Sequence, residues 1–270
     1  MTNLIIHRRD KENAGDMASS PKQYFSWLGD WDEIDIVDVG YLSLDDRHII
    51  LGGGGLFYPD FEPYLQIILD SNPKSLTIWG IGRNRHGDDS NNIYPDIGQA
   101  LIDKADLVGL RDCRIEPDWV PCPSVHHLMF DIADDHTIRS KESGGILAFQ
   151  HRESRFAFKH PSDWESIKSQ GNLWDLLRSI EAAELVCSSS YHGCLWATLF
   201  GRKTMAVDTF SQKFSTGLPE SVKLISSAEL SIEDPEMLLG SISANLTFKR
   251  EARLRSFAFA SKVRKLVGEQ

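Results

Sequence analysis

The sequence predicts an α/β protein of two parallel-sheet units with a C-terminal helix, and three observations predict it. Short apolar runs alternate with longer mixed segments, a polar stretch ending in Gly144-Gly145 divides the chain near its middle, and a basic segment of helical spacing follows the last strand signal. Strands are expected at Leu4 to His7, Ile34 to Val39, His48 to Leu51, Leu76 to Trp79 and Leu107 to Leu110, separated by loop or helix segments such as Asp60 to Leu69 and Asp96 to Lys104. From Asp131 to Gly145 the chain turns polar, with Asp134, Asp135, Arg139, Lys141 and Glu142, as a linker does. The units are therefore expected at residues 1–138 and 139–270.

The second unit opens with a strand over Ile146 to Gln150. Leu173, Leu176, Leu177 and Ile180 then mark one apolar face of a helix running to Ala183. Strands over Leu185 to Ser188 and Thr204 to Val207 flank a helical segment from Cys194 to Phe200. No internal repeat is visible in the sequence.

Between Ser188 and that helix lies Ser188-Ser189-Ser190-Tyr191-His192-Gly193. A strand-to-helix turn leaves backbone N–H groups without intrahelical partners, and the aligned peptide dipoles make the helix start attractive to anions. His192 at this place can donate to a phosphate or carboxylate, or move a proton near neutral pH. The competing assignment is a set of serine helix caps with a locally bonded histidine.

Several other motifs accompany this turn in a fixed order: Asn13-Ala14-Gly15-Asp16, Gly52-Gly53-Gly54-Gly55, Gly80-Ile81-Gly82 and Leu110-Arg111-Asp112 before it, and Ala197, Gly201 and Lys213 after it. In that order they resemble the polysaccharide pyruvyltransferase family, over about Asn13 to Lys213. The resemblance implies two Rossmann-like units facing each other across a cleft, in a glycosyltransferase-B-like arrangement, with the first unit on the acceptor side and the second on the donor side. It implies a transferase of exopolysaccharide biosynthesis, moving pyruvate as a ketal from phosphoenolpyruvate onto a sugar of a polysaccharide or of its lipid-linked precursor. No cofactor is expected.

Such chemistry constrains the residue types. The donor's phosphate and carboxylate must be held, C3 must gain a proton, and a sugar hydroxyl must lose one. His192, Asp16 and Arg111 are the candidate catalytic residues. His192 serves as phosphate ligand or acid, Asp16 as base toward the acceptor hydroxyl, and Arg111 as an anion holder beyond a strand end. Asp16 could instead cap a helix beginning at Met17, and Arg111 could pair with Asp112. Substrate binding is expected from Asn13, Gly15, Gly53, Gly54, Gly55, Gly82, Arg83, Arg152, Ser189, Ser190, Tyr191, Gly193 and Lys213, the glycines by letting backbone N–H groups approach a ligand. Many relatives have Arg-Leu-His-Gly where this chain has Ser190-Tyr191-His192-Gly193, so a cation is missing at 190, and Arg152, Arg83 or Lys213 must compensate or the donor differs. Two alternatives follow: a nucleotide-sugar glycosyltransferase, or a catalytically silent sugar-binding relative.

Composition narrows the partners. A net charge of −10 over 270 residues argues against nucleic acid. No uninterrupted apolar run approaches the length of a membrane span, and Arg8, Arg9 and Asp10 interrupt the N-terminal apolar stretch, so a soluble, cytoplasmic protein is expected. Cys113, Cys122, Cys187 and Cys194 form no C-x-x-C pair and read as buried thiols. His126 and His127 are adjacent, so they point apart on any regular element, and no metal site is expected. From Lys249 to Lys265 the local charge is +6, and Phe248, Ala252, Phe259, Val263 and Leu266 follow helical spacing. That helix either closes the first unit or touches an anionic membrane surface peripherally, where a lipid-linked acceptor would wait.

Overall fold

The structure is a computed structural model that describes residues 2–82, 96–112, 114, 118–135, 145–231, 237, 239–240 and 242–269. The expected site residue Arg83, and Cys113, read as a buried thiol, lie outside these residues. The chain divides into two compact units. One comprises Met1–Lys11, Gly15–Ser124 and Ala252–Gln270, and the other Glu12–Ala14 and Val125–Glu251. Each is a five-stranded parallel sheet flanked by helices, so the fold is a pair of Rossmann-like α/β units, as in glycosyltransferase-B-like proteins.

The first sheet holds β1 (Leu4–His7), β2 (Asp32–Asp35), β3 (His48–Gly52), β4 (Ser75–Ile81) and β5 (Leu107–Leu110), in the order β2-β1-β3-β4-β5. A short α1 (Ala14–Met17) precedes β2, and α2 (Glu62–Asp70) and α3 (Asp96–Lys104) cover one sheet face. Leu65 and Ile68 of α2 and Leu101 of α3 pack there on Ile6, Leu51 and Ile78. The opposite face carries Ile5, Ile50 and Trp79, and the C-terminal helix Phe248–Leu266 supplies Phe259, Ala260 and Val263 to it. The apolar stripe read from the sequence is thus spent largely on the first unit's core. Leu254 and Phe257 of the same helix remain more than half exposed.

The second unit repeats this plan. After α4 (Met129–Asp135) come β6 (Ile146–Gln150), β7 (Glu165–Lys168), α5 (Leu173–Ala182), β8 (Leu185–Ser188), α6 (Tyr191–Leu199), β9 (Lys203–Val207), α7 (Lys213–Thr216), β10 (Lys223–Ile225) and α8 (Ser227–Leu230), with strand order β10-β9-β8-β6-β7. Counted from its own first strand, this is the order 2-1-3-4-5, the same as in the first unit. In a sheet of this order the chain reverses direction of winding between the first and third strands, and a crevice opens there at the strands' C-terminal ends. The two switch points are β1/β3 and β6/β8.

Most elements agree with the sequence reading, and three differ. The strand expected over Ile34 to Val39 is β2 at Asp32–Asp35, followed by a 3-10 turn over Ile36–Tyr41. Asp35 ends it, because its carboxylate accepts the Val37 N–H at 3.3 Å and the Arg9 N–H at 3.1 Å and pairs with Arg8. The helix of the His192 turn begins at Tyr191 rather than Cys194, so His192 lies inside its first turn. The edge strands β7 and β10 gave no sequence signal: β7 is mostly exposed and β10 has only three residues.

Candidate functional site

In the first unit, the candidates converge at the β1/β3 switch point. β3 ends in Gly52 and turns through Gly53 and Gly54, both at positive φ (71° and 80°). The turn passes so close to the segment after α1 that a β-carbon on Gly53 would lie 2.5 Å from Ser19 Cβ, which leaves no room for any side chain there. One on Gly54 would lie 3.7 Å from Asp16 Oδ1, so the Asp16 carboxylate faces this turn. Asp16 belongs to α1 itself, with its carbonyl accepting the Ser19 hydroxyl at 2.7 Å, and does not cap a helix starting at Met17. Gly53 N–H donates to Trp79 O at 2.7 Å and Gly82 N–H to Gly54 O at 3.0 Å, tying the turn to the end of β4.

Arg111 and Asp112 join the same edge from β5. Both are buried, with Arg111 Nε 3.6 Å from Asp112 Oδ1. Gly82 makes room for them, since a β-carbon there would meet Arg111 Nε at 2.6 Å. The pairing with Asp112 read from the sequence is therefore present, and it holds a guanidinium in place at a strand end. Cys122 lies within range of these charges. Burial pushes its thiol up, the Arg111 charge opposes that, and Asp16 adds to it. Gly55 is half-buried beside the turn and Gly15 is buried within α1.

A second set of charges holds β1 to β2. His7 Nε2 lies 3.3 Å from Glu33 Oε1, and the Ser20 hydroxyl donates to the same oxygen. Burial alone would raise the Glu33 carboxyl. The hydrogen bonds from His7 and Ser20, and the His7 and Arg9 charges, outweigh it and hold the group at about 2. Ser20 adjoins Ser19, so this cluster also anchors the segment that carries Asp16.

In the second unit, the candidates gather at the β6/β8 switch point. Ser190 stands at the N-cap of α6 with no side-chain cap hydrogen bond. The neighbouring serines serve the sheet instead: Ser188 Oγ donates to Phe149 O at 2.9 Å and accepts the Ser190 N–H at 2.9 Å, while Ser189 Oγ accepts the His151 N–H at 3.0 Å. Gly193 has a packing role. A β-carbon there would lie 2.5 Å from Phe149 Cδ1, so α6 can approach β6 only with glycine at this position. His192 is 8% exposed, between Tyr191 (ring centroids 5.6 Å apart) and Trp196 (5.3 Å).

Lys213 opens α7 beyond β9 and is only 5% exposed. Its ammonium lies 4.7 Å from the Phe210 ring centroid and 5.7 Å from that of Phe214, whose ring stands 6.3 Å from Tyr191. Phe210 also stacks on Phe156 at 4.1 Å. His151, which the sequence reading passed over in favour of its neighbour Arg152, packs edge-on against both rings. Its Nδ1 accepts the Glu153 N–H at 3.1 Å, so the neutral ring carries its proton on Nε2. Arg152 follows it, half-buried. Asn13 is half-buried before α1 and groups with the second unit, where Ala14 N–H donates to Ser169 O at 3.2 Å.

Each unit thus assembles its own set: Asp16, Gly53, Gly54, Gly82 and Arg111 in the first, and His192, Ser189, Ser190, Tyr191, Lys213 and His151 in the second. Burial pushes the Cys187 thiol up to about 12 and raises Cys194 as well, which keeps both protonated. Among the described residues, no group of three or more His, Cys, Asp and Glu side chains could hold a metal ion, and no helix is long and apolar enough to cross a membrane.

No family model matches this chain, and no curated protein matches it. Among solved structures it is similar to a protein of Klebsiella pneumoniae subsp. pneumoniae described as uncharacterized. The likeness has 16% identity, covers 80% of this chain and 86% of that one, and has a TM-score of 0.48.

Proposed function

We propose that the protein is a ketal pyruvyltransferase that takes pyruvate from phosphoenolpyruvate and places it on two hydroxyls of a cell-surface polysaccharide or its lipid-linked precursor. In this reaction one sugar oxygen attacks C2 of the donor as C3 gains a proton, the bond from C2 to the phosphate oxygen breaks, and the second hydroxyl closes the ketal. Of the two hydroxyl protons released, one is balanced by the proton gained at C3 and the other by the proton that leaves with phosphate. The second unit would hold the donor through His192, the open start of α6 and Lys213, with His192 as phosphate ligand or acid. In the first unit Arg111 would hold an anionic group, and Asp16 would take the acceptor's proton. Gly15, Gly53, Gly54, Gly55 and Gly82 would supply its substrate contacts, as Asn13, Arg152, Ser189, Ser190, Tyr191 and Gly193 would in the second unit, and Arg83 remains a proposed substrate contact from the sequence.

The observation that carries this reading is the burial of Lys213. Its ammonium is withdrawn from most of the solvent and packed against two phenyl rings, beyond the strand end where the donor's anionic groups would lie. A buried lysine there also supplies a cation that Ser190 lacks. Contact with a lipid-linked acceptor at an anionic membrane is supported by the C-terminal helix, where exposed Leu254 and Phe257 stand among Arg250, Arg253 and Arg255. A nucleotide-sugar donor is the second reading, favoured by Asp208 at the end of β9, a non-glycine residue at φ 45°. Its Oδ1 already accepts the Ser227 N–H at 2.8 Å, which leaves it a poor ribose ligand.

The test is a thermal-shift titration of wild type and His192→Ala with phosphoenolpyruvate, uridine diphosphate and inorganic phosphate. Saturable stabilisation by phosphoenolpyruvate, lost in the variant, is expected. Stabilisation by uridine diphosphate alone would move the assignment to glycosyl transfer. A folded protein indifferent to all three would point to a silent sugar-binding relative.

A further inference from the structure

The first unit carries exposed apolar side chains on both sides of its sheet, in surroundings of opposite charge. One patch joins the end of the 3-10 turn Ile36–Tyr41 to α2. Tyr41 is 84% exposed, Leu42 43% and Ile67 38%. A β-carbon on Gly40 would lie 3.5 Å from Ile67 Cδ1, so the turn and the helix lie side by side and these side chains belong to one surface. Single exposed apolar residues are ordinary, whereas a group of them marks a contact surface. Exposed Asp38 and Asp70 stand one turn away from Tyr41 and Ile67, and exposed Asp45 and Asp46 follow Leu42 closely. Between Asp30 and Lys74 ten acidic residues stand against Arg47 and Lys74, so the surroundings of this patch are negative.

The other patch is the outer side of the C-terminal helix. Leu254, Phe257, Ala258, Ser261 and Lys265 recur at helical spacing and are all exposed. Phe257 is held edge-on against Phe25 at 5.9 Å, which limits the freedom it would lose in a contact. From Ala252 to Gln270 there are five basic residues and one acidic, so this surface is positive. The helix covers the sheet face of Ile5, Ile50 and Trp79, and α2 covers the opposite one. The two patches therefore cannot meet within one copy.

We infer that the C-terminal helix of one copy docks on the Tyr41 patch of a second copy. Leu254 and Phe257 meet Tyr41, Leu42 and Ile67 at the centre, and lysine and arginine meet aspartate around them, which is the arrangement of an apolar core with a charged rim. An anionic bilayer would suit the helix but would repel the acidic patch and leave it without a partner. Because the patches face away from each other, a two-fold dimer cannot join both pairs at once. The contact is head to tail, and it continues until a ring closes or a chain ends. The copy at the end of such a chain keeps its helix free for a membrane. Neither patch includes a residue proposed to touch substrate, so docking does not depend on the proposed reaction.

The experiment measures the mass of the full chain by sedimentation and light scattering. The weight-average mass is expected to rise at least about twofold between about 1 µM and about 100 µM protein, and to fall again in about 0.5 M salt, where the charge attraction is screened. Tyr41→Lys and Leu254→Glu alter exposed side chains, so each should melt as wild type does while remaining a single chain. Mixed one to one, they should form a pair and nothing larger, since the intact helix of the first fits the intact patch of the second and neither end of the pair can extend. A wild type that stays monomeric, self-association that either variant leaves intact, or a mixture that does not pair would each overturn the inference. Binding to phosphatidylglycerol vesicles by a chain that never self-associates would give the helix to a membrane instead, and would overturn it too.

Discussion

His151 donates its backbone N–H to the Ser189 hydroxyl at 3.0 Å, and its ring Nδ1 accepts the Glu153 N–H at 3.1 Å. The first bond joins the ends of β6 and β8 at the switch point of the second unit, and the second fixes the histidine's tautomer. Ser189→Ala removes the acceptor and should cost about 1 kcal/mol of stability, read from denaturant melts. Any stabilisation by phosphoenolpyruvate should shrink with it. A variant that melts and binds as wild type does would mean that the turn keeps its shape without this bond.

Gly193→Ala tests the close approach of α6 to β6. In an open helix this change would be favourable by about 1 kcal/mol. Here the new methyl meets Phe149 and Ser188, so a loss of about 1–3 kcal/mol is expected instead. Gly145→Ala is the control, because a β-carbon there meets nothing within 4 Å. If the two variants proved equally stable, the packing account of Gly193 would be wrong.

Lys213→Met keeps most of the side chain's volume and removes its charge. The variant should stay folded, because its apolar stem can keep the contacts with Phe210 and Phe214. Affinity for phosphoenolpyruvate, by calorimetry, should fall at least about tenfold. Lys213→Arg should restore part of it. Equal loss of stability and binding in the methionine variant would instead assign Lys213 a purely structural role.

Acid should act through Glu33. Its carboxyl sits at about 2 in the folded protein against an ordinary value of 4.5, so the unfolded chain takes up its proton first as pH falls. The stabilisation is fully present above about pH 4.5 and is lost as pH drops toward 2. Glu33→Gln should therefore be less stable than wild type at neutral pH, with the gap narrowing through that window in urea melts at successive pH values. A gap that stays constant from about pH 6 to about pH 2.5 would remove Glu33 from the acid response.

What could be read from sequence was local. β1, β3, β5, β6, α3 and β8 follow from apolar runs and their breakers, and the His192 turn follows from a strand running directly into a helix. What could not be read depends on pairing across the chain. Apolar Ile36, Val37 and Val39 have the pattern of a strand, yet β2 lies before them, because the Asp35 carboxylate turns the backbone by bonding to Val37 and Arg9. His151 gains its place only from the register of β6 beside β8, 38 residues away. The rings over Lys213 are its neighbours Phe210 and Phe214, but Phe210 is itself stacked on Phe156 from a distant segment, which no local pattern announces.

The composition of the first unit has a consequence for synthesis. Ile5, Ile50 and Trp79 emerge early, but the face they form is covered by Phe259, Ala260 and Val263 from the C-terminal helix. A nascent chain long enough to pair β1 through β5 would cover that face only with Phe25, Leu28, Trp31 and Val120, and leave the place of the helix open while the whole second unit is being translated. The first unit, though earliest to leave the ribosome, is therefore the last to be sealed, and truncations before Ala252 should be chaperone clients even when every strand is present.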